Sequence, residues 1–174
     1  MVDAVRPMQP FATSYQTDLA IRKATPDDAP ALAELDAEHW QHYTRSPIFM
    51  TPRQSTTADQ FSEFLSRPKN SVWLALDRET PIGLMRYIGY DFDSVALVES
   101  EQTIAVTGAY VQPAYRGRKV AAALLAAALR DYADRGFTCC TVNFESFNPE
   151  AATFWMKYFQ PAGLSLMRVP ENIL

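Results

Sequence analysis

Apolar residues recur along this chain with two different spacings, and the switches between them mark its elements. Residues 103–111, Thr-Ile-Ala-Val-Thr-Gly-Ala-Tyr-Val, are β-branched and apolar with no helical period, which predicts a buried strand. Pro113 stops it, because proline has no N–H for the ladder. From Val120 the period lengthens. Val120, Leu124, Leu125, Ala128, Leu129 and Tyr132 share one helical face, and Gly136 stands where a C-terminal cap belongs. Residues 72–76 read as another buried strand, joined by the turn 77–80 to a hairpin partner over 82–90. Residues 138–144 read as a further strand, followed by a helix from about Pro149 to Phe159. Gln160-Pro161-Ala162-Gly163 breaks that helix, and 164–169 reads as the last strand.

Towards the N-terminus the pattern is sparser. Residues 1–17 carry no period and are expected to form an extension, with the domain proper at 18–174. Residues 19–23 predict a short first strand. Thr25-Pro26-Asp27-Asp28 then supplies an N-cap, a proline at the first helical position and early acids, with Ala29, Leu32, Leu35 and His39 or Trp40 following at helical spacing. Thr57 with Gln60 predicts a capping box for a second helix that turns Phe61, Phe64 and Leu65 inward. Residues 44–56 show no pattern, and 91–101 form an acidic irregular stretch. The order βαα-βββ-αβ-αβ predicts an α/β single domain, a mixed sheet of about six to seven strands flanked by about four helices.

Between the strand ending at 111 and the helix starting near 120 lies Tyr115-Arg116-Gly117-Arg118-Lys119-Val120-Ala121. The first N–H groups of a helix lack partners and carry partial positive charge, so anions bind there. Arg116, Arg118 and Lys119 place cations at the same turn, which therefore suits phosphate. An ordinary basic helix start explains the turn equally well if it is taken alone.

Bulk composition narrows the class. The chain has 174 residues, 48% of them hydrophobic and 21% charged, as in a single globular domain with a sizeable core. A formal charge of −4 argues against a nucleic-acid binder with a broad basic face. No apolar run is long enough to span a bilayer, so no membrane partner is expected. Residues 1–16 hold one basic residue and no extended apolar core, unlike a secretory signal. Cys139 and Cys140 are adjacent in a predicted strand, pointing to opposite faces, which suits neither a disulfide nor a metal site. Buried thiols and a cytoplasmic location are the expectation.

The basic turn, its lead-in Val111-x-Pro113-x-x-Arg116 and the later Asn148-Pro149-Glu150-Ala151-Ala152-Thr153-Phe154-Trp155 together resemble the GNAT N-acetyltransferase superfamily. In that family [Q/R]-x-x-G-x-[G/A] holds the pyrophosphate of acyl-CoA. Arg116 matches the first position, Val120 the apolar fifth and Ala121 the small sixth, while Lys119 replaces the usual glycine. The stretch from Asn148 resembles the family's N-x-x-A-x-x-[L/F]-[Y/W] helix, and residues 21–28 its usual opening.

The resemblance implies direct attack by an amine on acetyl-CoA, as co-substrate, with no metal needed. CoA would lie where two strands splay. Backbone groups of Ala109, Tyr110 and Val111 would pair with pantetheine and polarise the thioester. Arg116, Gly117, Arg118, Lys119, Val120 and Ala121 would hold pyrophosphate, and Asn148 would touch the CoA arm, although Asn148 also reads as a helix N-cap. The family's acidic tyrosine falls at Trp155, whose indole cannot act as an acid. Tyr158, one turn on, is the substitute candidate, though packing explains it as well. The family's basic glutamate falls at Ala105, leaving Glu101 and Glu145 as candidates that also read as solvated carboxylates. His39 and His42 are candidates to assist the acceptor, and equally an exposed helix end.

The resemblance also implies that residues 44–56 line the acceptor site, and the acidic 91–101 stretch would favour a cationic amine. The acceptor is expected to be a small-molecule or protein amine, and the C-terminal strand offers an edge for a homodimer. Two alternatives compete. A non-catalytic acyl-CoA binder of the same fold would explain the missing tyrosine and glutamate. A Rossmann-like nucleotide binder fares worst, since neither G-x-G-x-x-G nor G-x-x-x-x-G-K-[S/T] occurs.

Overall fold

In the computed structural model, residues 1–9, 17–89 and 100–166 are described. Strand β1 (Val2–Pro7) precedes β2 (Ala20–Lys23), α1 (Ala29–Tyr43) and α2 (Ala58–Ser66). The hairpin of β3 (Asn70–Asp77) and β4 (Thr80–Gly89) follows, then β5 (Thr103–Val111) and α3 (Val120–Asp134). The chain ends with β6 (Cys139–Phe144), α4 (Pro149–Tyr158) and β7 (Gln160–Leu164). The seven strands form one sheet in the order β2-β3-β4-β5-β6-β1-β7. Only β5 and β6 pair in parallel; every other neighbouring pair is antiparallel.

The apolar runs in β3 and β4 are continuous because both faces of the sheet are covered. Val72, Leu74 and Leu76 enter a core beneath α1 and α2 with Leu32, Leu35 and Phe61. Trp73 and Ala75, one residue out of phase, enter the opposite core with Leu124, Leu125, Ala128 and Leu129 of α3. Leu124 and Leu125 are fully buried, and a leucine so placed stabilises by about 1.5–3 kcal/mol. The helix starts follow their sequence signals. Thr57 Oγ1 accepts from the Gln60 amide while Gln60 Oε1 accepts from the Thr57 amide, and Asp28 Oδ2 accepts from the Thr25 amide.

Two expectations need correction. The segment 1–17 does not stand wholly outside the domain: β1 lies within the sheet, antiparallel to β6 on one side and β7 on the other. It fills the edge that β6 would otherwise expose, and Ala4 is buried. Its ladder partners lie some 140 residues away in the register Val2↔Phe144, which no local pattern signals. The last strand is Gln160–Leu164 rather than 164–169; residues 167–169 lie outside the described residues. Pro161 is compatible with it because β7 is an edge strand that pairs only with β1.

Candidate functional site

The site begins where β5 and β6 part. Their pairing runs from Thr103↔Cys139 to Val106↔Val142 and goes no further, while β5 continues beside β4 to Val111. At the parting point the β4–β5 register shifts, from Tyr87↔Val106 to Arg86↔Gly108, leaving Thr107 as an extra residue. A bulge of this kind bends its strand and ends local pairing. The gap opens into a cavity of about 1020 Å³ lined by β5, the start of α3, the end of β6, α4 and the inner side of α1.

The ladder decides which backbone groups face that gap. The Gln112 amide donates to Ile82 O, so residue 112 points its polar groups at β4. Successive residues of a strand direct theirs to opposite sides. Tyr110 therefore points at β4, opposite Leu84, and Ala109 and Val111 point into the gap. Of the three expected backbone contacts, Tyr110 is the exception; it lines the cavity through its ring, and its hydroxyl donates to Glu38 at 3.1 Å. The phenol is pushed up to about 12, first by burial and then by that carboxylate.

The basic turn closes one end. A short 3₁₀ turn, Pro113–Tyr115, follows β5, and Tyr115 hydroxyl donates to Asp77 at 2.8 Å. Gly117 adopts φ +76°, with nothing within 4 Å of where a Cβ would stand, so its backbone is open to a ligand. Lys119, at the N-cap of α3, is left-handed at φ 63° and ψ 16°. That is the conformation for which the family's glycine is suited. No side chain caps α3 and no acid sits in its first turn, so its first N–H groups remain for an anion. Val120, Ala121 and Ala122 line the cavity there. The residues present therefore fit a pyrophosphate.

The cations do not converge as expected. Arg116 Nε donates to Val111 O at 3.1 Å, and its Nη1 reaches both Glu150 oxygens at 3.0 and 2.9 Å. Arg116 thus ties the turn to the end of β5 and to α4. Arg118 instead lies over the Tyr115 ring at 5.1 Å and does not itself line the cavity, although Tyr115 does. Lys119 and Arg116 remain at the cavity wall.

Across the gap, Asn148 is buried and caps α4, its Oδ1 accepting from the Ala151 amide at 3.1 Å. That is the N-cap reading, and Asn148 also lines the cavity. Trp155 is buried edge-to-face between Phe154 and Phe159, a core residue that reaches the cavity wall. Tyr158 and Glu145 also line the cavity. Glu101 does not. It lies exposed before the opposite end of β5, far along the strand from the parting point. Ala105 sits there too, within the paired part of β5.

The remaining wall belongs to α1 and the segment after it. His39 stacks on Tyr110 at 5.4 Å and meets Tyr43 at 4.6 Å. Burial, opposed only in part by Asp36, depresses the imidazole to about 4, so it is neutral at pH 7. His42 Nε2 lies 3.0 Å from Glu150 Oε2 without the alignment of a hydrogen bond, so the pair is a contact that protonation would strengthen. Met50 and Arg53 bring the 44–56 segment to this end. Sequence reasoning missed Tyr43 and Arg86. Tyr43 follows His39 by four residues on one helical face, and Arg86 is the lone charge in an apolar strand. Both signals were available. Residues 90–99 of the acidic stretch lie outside the described residues.

Comparison with known proteins agrees with this geometry. Residues 32–159 match the family described as the acetyltransferase (GNAT) family. No curated protein matches the chain by sequence. Among solved structures, the BH1408 protein of Bacillus halodurans is similar at TM-score 0.71 and 17% identity, covering 87% of this chain and 99% of that one. An aminoglycoside acetyltransferase from an uncultured soil metagenomic sample, in complex with sisomicin, gives TM-score 0.65 and 16% identity over 87% and 94% of the two chains. The PaiA N-acetyltransferase of Thermoplasma acidophilum, in complex with coenzyme A, gives TM-score 0.66 and 19% identity over 81% and 88%.

Proposed function

Because this chain belongs to the GNAT acetyltransferase family, we propose that its β5–β6 gap moves an acetyl group from acetyl-CoA to an amine. The single observation that carries the reading is the edge of β5 beyond Val106, unpaired by β6 and ending at an uncapped helix N-terminus. The N–H groups of Gly117, Lys119, Val120 and Ala121 hold pyrophosphate, and Val111 and Ala109 pair in turn with the pantetheine arm. Ala109 lies deeper in the gap, so its N–H is the donor to the thioester oxygen. A donor fixed where negative charge develops lowers the barrier without reorganising.

The amine lone pair attacks the thioester carbon, giving a tetrahedral oxyanion. The C–S bond then breaks, its electron pair leaves on sulfur, and the nitrogen gives up a proton. Tyr158 is the candidate to protonate sulfur, since it is the phenol of α4 at the cavity. Glu145 is the candidate to collect the amine proton; Glu101 is too far along β5 to take part. Asn148 orders α4 and touches the CoA arm. The family's own acid and base positions, Trp155 and Ala105, supply neither group, which favours a second reading as a non-catalytic acyl-CoA binder.

Among the described residues no helix is long and apolar enough to cross a membrane. The free thiols of Cys139 and Cys140 and the need for acetyl-CoA support a cytoplasmic location. The β7 edge is the surface through which a homodimer would pair. An amine screen with acetyl-CoA, following free thiol, tests the function. Thiol release that depends on the amine supports transfer, whereas CoA binding without any release supports the second reading.

A further inference from the structure

The acceptor end of the cavity holds a cation that its own surroundings leave short of partners. Arg86 stands on β4 opposite Gly108, one residue beyond Ala109, among otherwise apolar neighbours. Thr107 takes its Nε at 3.1 Å and one Nη2 proton at 3.2 Å. A guanidinium has five N–H donors, so the rest of the fork makes no hydrogen bond among the described residues, and its further contact is face-on to the Phe64 ring at 5.8 Å. None of the ion pairs among the described residues includes Arg86. The nearby carboxylate, Asp36, is buried and accepts from the Thr56 amide at 2.7 Å. Burial lowers the pKa of Arg86, so the charged group is incompletely compensated where it sits. Gly108 leaves room beside it: an added Cβ would already meet the guanidinium at 3.6 Å. A second guanidinium, Arg53, lies over the Trp40 ring at 5.7 Å on the same wall.

We propose that the acceptor is an amine that also carries a carboxylate, an amino-acid-like zwitterion, and that Arg86 binds this carboxylate with Arg53 at the entrance. This rests on the acetyl-transfer reading and specifies its substrate. The guanidinium lies 3.6 Å from where a Gly108 Cβ would stand, and Gly108 adjoins Ala109, so an anion at Arg86 lies a few bonds from an amine placed at Ala109. The planar fork matches a carboxylate bidentately. His39, neutral, and the rings of Trp40 and Tyr43 give the substrate's side chain an apolar, aromatic wall. A polycation would instead meet two arginines.

The test compares phenylalanine, phenylalaninamide, phenethylamine and spermidine as acceptors with the full chain, reading thiol release. Phenylalanine is expected to exceed the amide and the amine by at least about tenfold in kcat/KM, the range of a charge-assisted pair. Arg86→Met should erase that preference through KM, and Arg86→Lys should retain part of it. Equal or better turnover of the amide, amine or spermidine by the wild-type chain overturns the proposal, whatever the variants do. Calorimetry of phenylalanine into the CoA-loaded protein reads the same site without turnover. Binding of CoA but not of phenylalanine overturns this proposal alone; absence of CoA binding overturns the acetyl-transfer reading beneath it.

Discussion

Replacing Lys119 by glycine should stabilise this protein. Lys119 holds φ 63° and ψ 16°, and a left-handed residue with a Cβ is strained by about 1–2 kcal/mol. Glycine removes that strain but loses more backbone freedom on folding, roughly 0.5–1 kcal/mol. The net is a gain of about 0.5–1 kcal/mol, or roughly 1–4 °C in Tm for a chain of this size. Lys119→Ala is the control. Both substitutions remove a cation from the positively polarised start of α3, so that benefit cancels between them. Only glycine relaxes the backbone, and thermal unfolding followed by circular dichroism should place its Tm above that of alanine. Equal Tm values for the two variants would show that the left-handed turn stores no strain and that the argument is wrong.

Arg116→Ala should weaken CoA binding about tenfold or more, and more than Lys119→Ala, because it loses the tie to Val111 O as well as a charge-assisted contact; calorimetry reads both. Glu150→Gln should strengthen CoA binding a few-fold, with the gain shrinking as salt is added, because the carboxylate holds Arg116 and repels phosphate. Weaker binding in Glu150→Gln would show that the pair positions Arg116 instead. Tyr158→Phe should lower kcat by about 10²-fold and leave CoA affinity unchanged, the lower end for a lost general acid since thiolate is a tolerable leaving group. Trp155→Tyr should destabilise by roughly 1–3 kcal/mol, short of a full truncation, because the indole is buried in the core. Acid should destabilise the chain through His39. Its folded pKa of about 4 lies below its unfolded value of about 6.5, so the unfolded state binds more protons between them. That stability is present above pH 6.5 and is lost as pH falls towards 4, about 2 kcal/mol by pH 5. In His39→Phe the fall of Tm between pH 7 and pH 5 should shrink; an unchanged fall would assign the acid sensitivity elsewhere.

What the sequence shows most clearly is what neighbours in the chain decide. Thr57 and Gln60 cap α2 with each other, and the apolar face of α3 lies three or four residues apart, so both are legible in a short window. The turn from Tyr115 to Ala121 is legible for the same reason, down to a position that asks for glycine and holds Lys119. Pairings between distant segments are not. The place of β1 between β6 and β7 depends on edges that exist only once the sheet has assembled. The parting of β5 from β6 depends on the extra residue at Thr107, set by its register with β4. Which backbone groups face the gap follows from that ladder, so Tyr110 could not be separated from Ala109 and Val111 by counting. Arg118 and Arg116 look alike in the sequence, yet one lies on Tyr115 and the other bridges to Glu150. The wall proposed for the acceptor is drawn from three separate segments, α1, the stretch after it and β4, and no single motif joins them.

The most direct measurement is a CoA titration of the isotopically labelled protein, following backbone amides by NMR. Ala109 and Val111 in the gap, and Gly117, Val120 and Ala121 at the start of α3, should shift together and saturate at one affinity, while Arg22 and Leu74 across the β2–β3 ladder stay still. Amides of Ala109, Val111 and Ala121 that do not move while CoA binds would contradict the site described here.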